Sequence, residues 1–318
     1  MYYIIMLILL WGAELFYFRI AATTGIVDCP NQRSSHVCTT LRGGGLVFYL
    51  GALGWFLTNG FLYPWFMAGL TLISLISFAD DIRSVSQKVR LGVHLIAIFL
   101  LFRQWDNFFL PGWVIFFCVI VCLGVINAYN FMDGINGITG GYSLVTLIAL
   151  VYIHLKIVPF AEIGFIYTLI LADLVFLFFN FRSQARCFAG DVGSVSMAFI
   201  LLFLIGALMV QTRDVTWIIL LAVYGVDTVL TLLHRILLRE RILQPHRKHL
   251  YQLMANELKI PHLMVSLIYM GVQVVITVGY LYARVSGYQY TYVIAAVFLL
   301  GLLYLWFMKK YFHLHRIS

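Results

Sequence analysis

The stretch NAYNFMDGINGITGG at residues 127–141 lies between CVIVCLGVI (118–126) and YSLVTLIAL (142–150). Both flanks belong to apolar runs, 112–129 and 138–155, that approach the ~20 residues needed to cross a ~30 Å hydrocarbon core. Between them stand three asparagines and one aspartate within ten residues. Polar groups are tolerated at a membrane boundary where they serve chemistry or line a cavity. The segment therefore reads as a polar turn joining two membrane helices.

The same pattern recurs along all 318 residues. The chain is 63% hydrophobic and 11% charged, with a mean hydropathy of +0.96. A soluble domain carries about a quarter charged residues. The composition excludes a soluble enzyme and makes the chain an all-α, polytopic integral membrane protein. Eleven spans are expected, over 1–19, 44–62, 64–79, 91–103, 112–129, 138–155, 160–180, 192–210, 215–234, 262–282 and 291–308. The longest polar intervals, 23–42 and 234–250, are too short for a separate domain. Residues 1–318 thus form one membrane domain, without linker or internal repeat.

Charge orients the spans. The first apolar run has no basic residue before it and ends at Arg19, which does not match a cleaved signal peptide and favours an N-terminus outside. Alternation from there puts seventeen of the 21 Lys and Arg residues on the inner side, with the C-terminus. Only Arg103, Lys156, Arg213 and Arg284 fall outside. Parity then sends FADDIRSVSQKVR (78–90), the opening stretch, FAGDVGS (188–194) and PHRKH (245–249) to one cytoplasmic face, because each follows an odd-numbered span.

Each of these segments carries chemistry. Asp80 and Asp81 are adjacent carboxylates that repel, and read alone they are either an ordinary acidic helix end or a pair able to act as a base or hold a divalent ion. Asn127 and Asn130 lie three apart, on one face of a helix end, with Asp133 three further on. Carboxamide and carboxylate oxygens suit Mg²⁺, which shares its coordination with substrate phosphates. The glycines match neither a Walker loop nor a dinucleotide loop. Asp191 stands at a helix N-terminus, which favours anions and metal-bound phosphates. Around PHRKH, cations interleaved with His246 and His249 suit phosphate better than zinc. Asp227 is an intramembrane carboxylate, and Asp173 lies two turns from the inner end of its span, where it could line the site. For Glu14, His94 and His154 a helix–helix hydrogen bond or snorkelling is the better reading. The five cysteines show no metal spacing, and Cys118 and Cys122 read as small buried residues.

Together these segments resemble, in order, the polyprenyl-phosphate N-acetylhexosamine-1-phosphate transferases. The likeness begins with VDCPNQRSSHVCTTLRGGGL (27–46) and continues through FADD with Lys88, NAYNFMDGINGITGG, FAGDVGS, Asp227 and the His/Arg loop. It implies a bacterial enzyme of the cytoplasmic (inner) membrane, with its active site facing the cytoplasm. Such an enzyme moves a sugar-1-phosphate from a UDP-N-acetylhexosamine to undecaprenyl phosphate, releases UMP and starts O-antigen, capsule or teichoic acid synthesis. The resemblance implies Mg²⁺, or Mn²⁺ in its place, on Asn130 and Asp191. It gives Asp80 or Asp81 the lipid phosphate, with Lys88 holding it. Asp133 would sit near the nucleotide, completing the catalytic set, and Asn127, Asn136, His246, Arg247 and His249 would grip the nucleotide-sugar pyrophosphate. Asp227, His36 and Arg42 are further candidates. HRKH stands where many relatives have a denser histidine run. Membrane lipid and a homodimer partner are expected, and nucleic acid is not. A transporter or lipid-linked-sugar flippase is the competing reading, but transporters gather ionisable groups near the bilayer midplane, whereas here they gather at one face.

Overall fold

The computed structural model describes residues 1–29, 39–106, 110–240 and 247–311. Its long helices are α1 (Tyr2–Thr24), α2 (Leu46–Thr58), α3 (Pro64–Ile82), α4 (Gln87–Trp105), α5 (Gly112–Met132), α6 (Ile138–Lys156), α7 (Ile163–Asn180) and α8 (Gly190–Thr212). A 3₁₀ segment, Val215–Leu221, runs straight into α9 (Ala222–Leu237). The short α10 (Leu250–Gln252) continues as a π turn, followed by α11 (His262–Val285) and α12 (Gln289–Tyr311). Among the described residues, extended pairing is confined to two two-residue antiparallel strands, Val27–Asp28 and Thr40–Leu41, and a parallel bridge from Leu41 to Cys187.

Each expected span coincides with one helix or with the 3₁₀–α9 pair. Among the described residues nine are long and apolar enough to cross a membrane. The two that fall short are α2, with 13 residues, and α4. The latter mixes polar residues into QKVRLGVHLIAIFLLFRQW and is buried along only one face. The first is apolar throughout but short, and the second interrupts its apolar run with polar residues.

The helices are arranged around α8. It is the most enclosed of the nine, with 83% of its apolar window buried, against 17% for α12. Apolar side chains on all sides suit it to a central position. On α12 the outward residues Ile294, Phe298 and Leu303 are exposed apolar groups, as expected of a helix whose neighbour is lipid.

A close backbone crossing seats α2 on α8. A Cβ built on Gly45 would lie 2.2 Å from Gly193 Cα, and one on Gly193 would lie 2.6 Å from Gly45 Cα. Glycine is required at both positions because no side chain fits. Gly193→Ala is expected to lower stability by ~1–3 kcal/mol through overpacking. Gly12→Ala, where a Cβ meets nothing within 4 Å, should leave stability unchanged or raise it slightly. Thermal unfolding of both variants in detergent checks the contrast.

The ends of the bundle differ in chemistry. At one end, Asp214 pairs with Arg284 beside Thr216 and Tyr280, and Gln104 accepts from the first amides of α3. These contacts fasten helix ends. At the other end meet the C-termini of α3 and α5, the N-terminus of α8, and α10.

Candidate active site at the ends of α3, α5 and α8

The helix start at α8 organises the site. Its first amides have no partner within the helix, and Asp81 from α3 supplies one. Asp81 Oδ1 accepts from Asp191 N at 2.8 Å and Oδ2 from Val192 N at 2.9 Å. A carboxylate suits the positive end of a helix. Gly190 makes the approach feasible, since its φ is +70° and a Cβ there would stand 2.6 Å from Asp81 Oδ2. The segment Leu41–Gly45 closes the other side through Phe188 N to Leu41 O, Gly44 N to Phe188 O and Gly45 N to Ala189 O.

Two guanidiniums lace the carboxylates together. Arg42 donates from Nε to Asp81 Oδ1 at 2.6 Å and from Nη2 to Asp191 Oδ1 at 3.0 Å. Burial opposes its charge, but Asp81 and Asp191 outweigh that and raise its pKa above the ordinary arginine value. Arg90, on the first turn of α4, donates from Nη1 to Asp80 Oδ2 at 2.6 Å and lies 3.1 Å from Asp191 Oδ2. Asp80 Oδ1 accepts from Val85 N. Asp80, Asp81 and Asp191 thus outnumber the two guanidiniums by one.

The two neighbouring aspartates take different positions. Asp81 has a fully buried side chain whose two oxygens accept helix amides, whereas 12% of the Asp80 side chain is exposed. Lys88 is exposed and has no salt bridge among the described residues, while Arg90, two residues on, faces inward. Arg90 is a site residue that the sequence reading passed over. Its signal was present as a second cation in the same segment.

The asparagine cluster also separates. Asn130 is half-buried with its Oδ1 3.5 Å from Ser194 Oγ on α8, beside Asp191. Asn127 is exposed and donates to Leu123 O in its own helix. Asn136 is buried, donating to Arg182 O at 2.7 Å and Ser183 O at 3.2 Å, so it braces the α7–α8 connection. Asp133 accepts from Thr139 Oγ1 at 2.7 Å. Burial of its carboxyl pushes it up to about 7 against that bond, with Asp191 and Asp81 adding to the rise.

Asp227 joins the His249–Leu250 segment to this end. It accepts at Oδ1 from Leu250 N (3.0 Å) and Thr231 Oγ1 (3.1 Å), and at Oδ2 from Tyr269 OH (2.7 Å). His249 Nδ1 lies 3.3 Å from Oδ1. Tyr251 then donates from its hydroxyl to Phe131 O at 2.9 Å, seating α10 beside Asp133. Glu240 pairs with both Arg235 and Lys248. These two hydrogen-bonded cations hold its carboxyl below the usual range despite some burial. Arg247 is half-buried next to His249. His36 and His246 lie outside the described residues.

The donor set fits a hard divalent cation. Among the described residues no three His, Cys, Asp or Glu side chains form a metal cage, but Mg²⁺ is held by one or two carboxylates plus waters and substrate phosphates. Arg90 already bridges Asp80 and Asp191 as a cation, which brings the two carboxylates to one point. Asn130 adds a carboxamide oxygen from α5.

The family model for Glycosyl transferase family 4 matches residues 63–211, which run from the start of α3 to the end of α8. Over 255 residues the chain is 29% identical to a probable undecaprenyl-phosphate N-acetylglucosaminyl 1-phosphate transferase of Bacillus subtilis, covering 73% of this chain and 70% of that protein. Over 332 residues it is 26% identical to the undecaprenyl-phosphate alpha-N-acetylglucosaminyl 1-phosphate transferase of Escherichia coli O157:H7, covering 93% and 87%. A decaprenyl-phosphate N-acetylglucosaminephosphotransferase of Mycobacterium tuberculosis is 28% identical over 57% of this chain and 53% of its own length.

Proposed function

We propose that the chain is a polyprenyl-phosphate N-acetylhexosamine-1-phosphate transferase, as its relatives are named, and that it transfers N-acetylglucosamine-1-phosphate from the UDP-sugar to undecaprenyl phosphate. The named activities of the relatives support the acceptor and the sugar. The observation that carries the reading is the convergence of Asp80, Asp191 and Asn130 with Arg42 and Arg90 at one end of the bundle. A transporter reading is not favoured, because these charges gather at helix ends.

A lipid-phosphate oxygen forms a bond to the sugar-bearing phosphorus of the donor. The bond from that phosphorus to the bridging oxygen breaks, and the electron pair leaves with UMP. Phosphoryl transfer depends on positioning and charge neutralisation. Asp80, with an exposed edge, orients the lipid monophosphate, which attacks as its dianion, and Lys88 attracts that phosphate at the surface. Asp81 acts through structure, fixing the start of α8 and orienting Arg42. Arg42 and Arg90 neutralise transferring oxygens, and Arg247 and His249 hold the donor pyrophosphate. Asp191, Asn130 and Asp80 would hold Mg²⁺, or Mn²⁺ in its place, which when bound polarises the diphosphate and stabilises the leaving phosphate.

In this reading the chain crosses the membrane eleven times with its N-terminus outside and its C-terminus inside, so that this end meets the cytoplasm of a bacterium, where UDP-sugars are available. The positive-inside distribution of Lys and Arg supports that orientation. The product then starts an O-antigen, capsule or teichoic acid type glycan, and a homodimer is compatible with the reaction.

The test is UMP release by the purified chain with undecaprenyl phosphate, Mg²⁺ and a panel of UDP-N-acetyl sugars. Release with UDP-N-acetylglucosamine and its loss on chelation are expected, and no release with any donor would refute the function. Asp80→Asn should lower kcat with unfolding unchanged. Asp81→Asn should instead lower stability by ~1–3 kcal/mol, because its amide group faces the helix amides of α8. Equal effects of the two variants on both measurements would reject this division of labour.

A further inference from the structure

Below the active end, a group of polar atoms has no counterpart in the chemistry above. Asp173 on α7, Ser143 on α6 and Tyr129 on α5 are 0%, 0% and 1% exposed. Both carboxyl oxygens of Asp173, the Ser143 Oγ and the Tyr129 hydroxyl lack any hydrogen-bond partner. They are neighbours. The Tyr129 and Ser143 hydroxyls are close enough to interact, though without hydrogen-bond geometry, and Tyr129 is within electrostatic reach of Asp173. A Cβ on Gly140, one turn before Ser143, would stand 3.0 Å from Asp173 Oδ1. Buried polar groups in native proteins are almost always paired, with protein, water or an ion. Four orphaned oxygens drawn from three helices call for a common partner.

We propose that α5, α6 and α7 enclose a binding site for a monovalent cation of the sodium class, coordinated by the Asp173 carboxylate with the Ser143 and Tyr129 hydroxyls. The donors are all oxygens, the choice of a hard cation rather than of a thiol- or imidazole-seeking metal. One carboxylate, with no cationic side chain bonded to it among the described residues, matches a single positive charge. A divalent ion in a hydrocarbon surrounding would remain half-compensated. A proton would serve one oxygen, whereas a cation engages all four. Tyr129 directly precedes Asn130, so an ion here would brace the end of α5 behind the active site. The assignment stands on these side chains and is independent of the transferase reading.

Binding of radioactive sodium to the purified full chain in detergent, against a choline chloride background of constant ionic strength, tests the site directly. Saturable binding is expected, lost in Asp173→Asn, weakened several-fold in Ser143→Ala and retained in Asp191→Asn. Replacing choline by sodium should also raise the unfolding temperature of the wild type and not that of Asp173→Asn. If Asp173→Asn does not fold, Ser143→Ala and Tyr129→Phe must both weaken binding. Absence of saturable binding by the folded wild type would overturn the proposal, and is the result expected if Asp173 holds a proton and a water instead. Binding unchanged in all three site variants would overturn it as well.

Discussion

Asp191→Asn is expected to lower kcat for UMP release by ~10³-fold, the scale seen when one preorganised electrostatic group is removed from a transition-state site. The carboxylate stands at the start of α8 with one oxygen on Arg42 and the other beside Arg90. It also lies next to Asp80 and shares an α8 face with Ser194, which meets Asn130 of α5. Asparagine keeps the shape and can still accept from Arg42, but it removes the negative charge that a divalent ion needs. The fold should survive, because Arg42 remains paired to Asp81 and Arg90 to Asp80. The check is kcat at saturating substrates across a Mg²⁺ titration, with thermal unfolding measured alongside. Full activity at every Mg²⁺ concentration would remove Asp191 from the site.

Asp227→Asn should reduce kcat/KM by about 10–100-fold, the usual cost of losing a partner that orients an active-site ligand. Asp227 is 3% exposed and fastens three elements at once. Thr231 lies on its own helix α9, Leu250 N opens α10, and Tyr269 reaches in from α11. The His249 ring rests against the same carboxylate. An asparagine would turn an amide N–H toward groups that already donate. Asp227→Ala removes the acceptor altogether and should destabilise the protein by ~3–5 kcal/mol, as breaking a buried charged pair does. The orienting role separates from a merely structural one in a double-mutant cycle with His249→Ala. In that background the kinetic cost of Asp227→Asn should shrink markedly. Full additivity would mean that Asp227 does not act through His249.

Much of this was legible before any coordinates. The apolar runs around 112–155 could only be membrane helices, and the polar turn between them could only face an aqueous boundary. Parity brought FADD, the asparagine cluster, FAGDVGS and the histidine loop to one end, where the helix ends do meet. Finer distinctions were not legible, because neighbouring residues of one chemical type differ only in helical phase. Lys88 and Arg90 are about 200° apart around α4, so one points outward while the other reaches Asp80 and Asp191. Asp80 and Asp81 differ by ~100°, enough to bury one against the α8 amides and leave the other with an exposed edge. Asn127 and Asn130 share a helix face in the sequence, yet packing against Ser194 touches only the second.

The sequence by itself determined a polytopic helical protein, the end at which its polar motifs gather, and the transferase family they resemble. These follow from long-range regularities, since an apolar run of about twenty residues and an ordered set of motifs survive any detail of packing. The tertiary structure decided which member of each pair enters the site. It showed that Arg42 and Arg90 rather than Lys88 neutralise the carboxylates, and that Asp227 anchors the His249 segment. It also left the Asp173 oxygens unpartnered beside Tyr129 and Ser143. Those outcomes depend on helix rotation and on contacts between residues up to 149 positions apart, which no local pattern encodes.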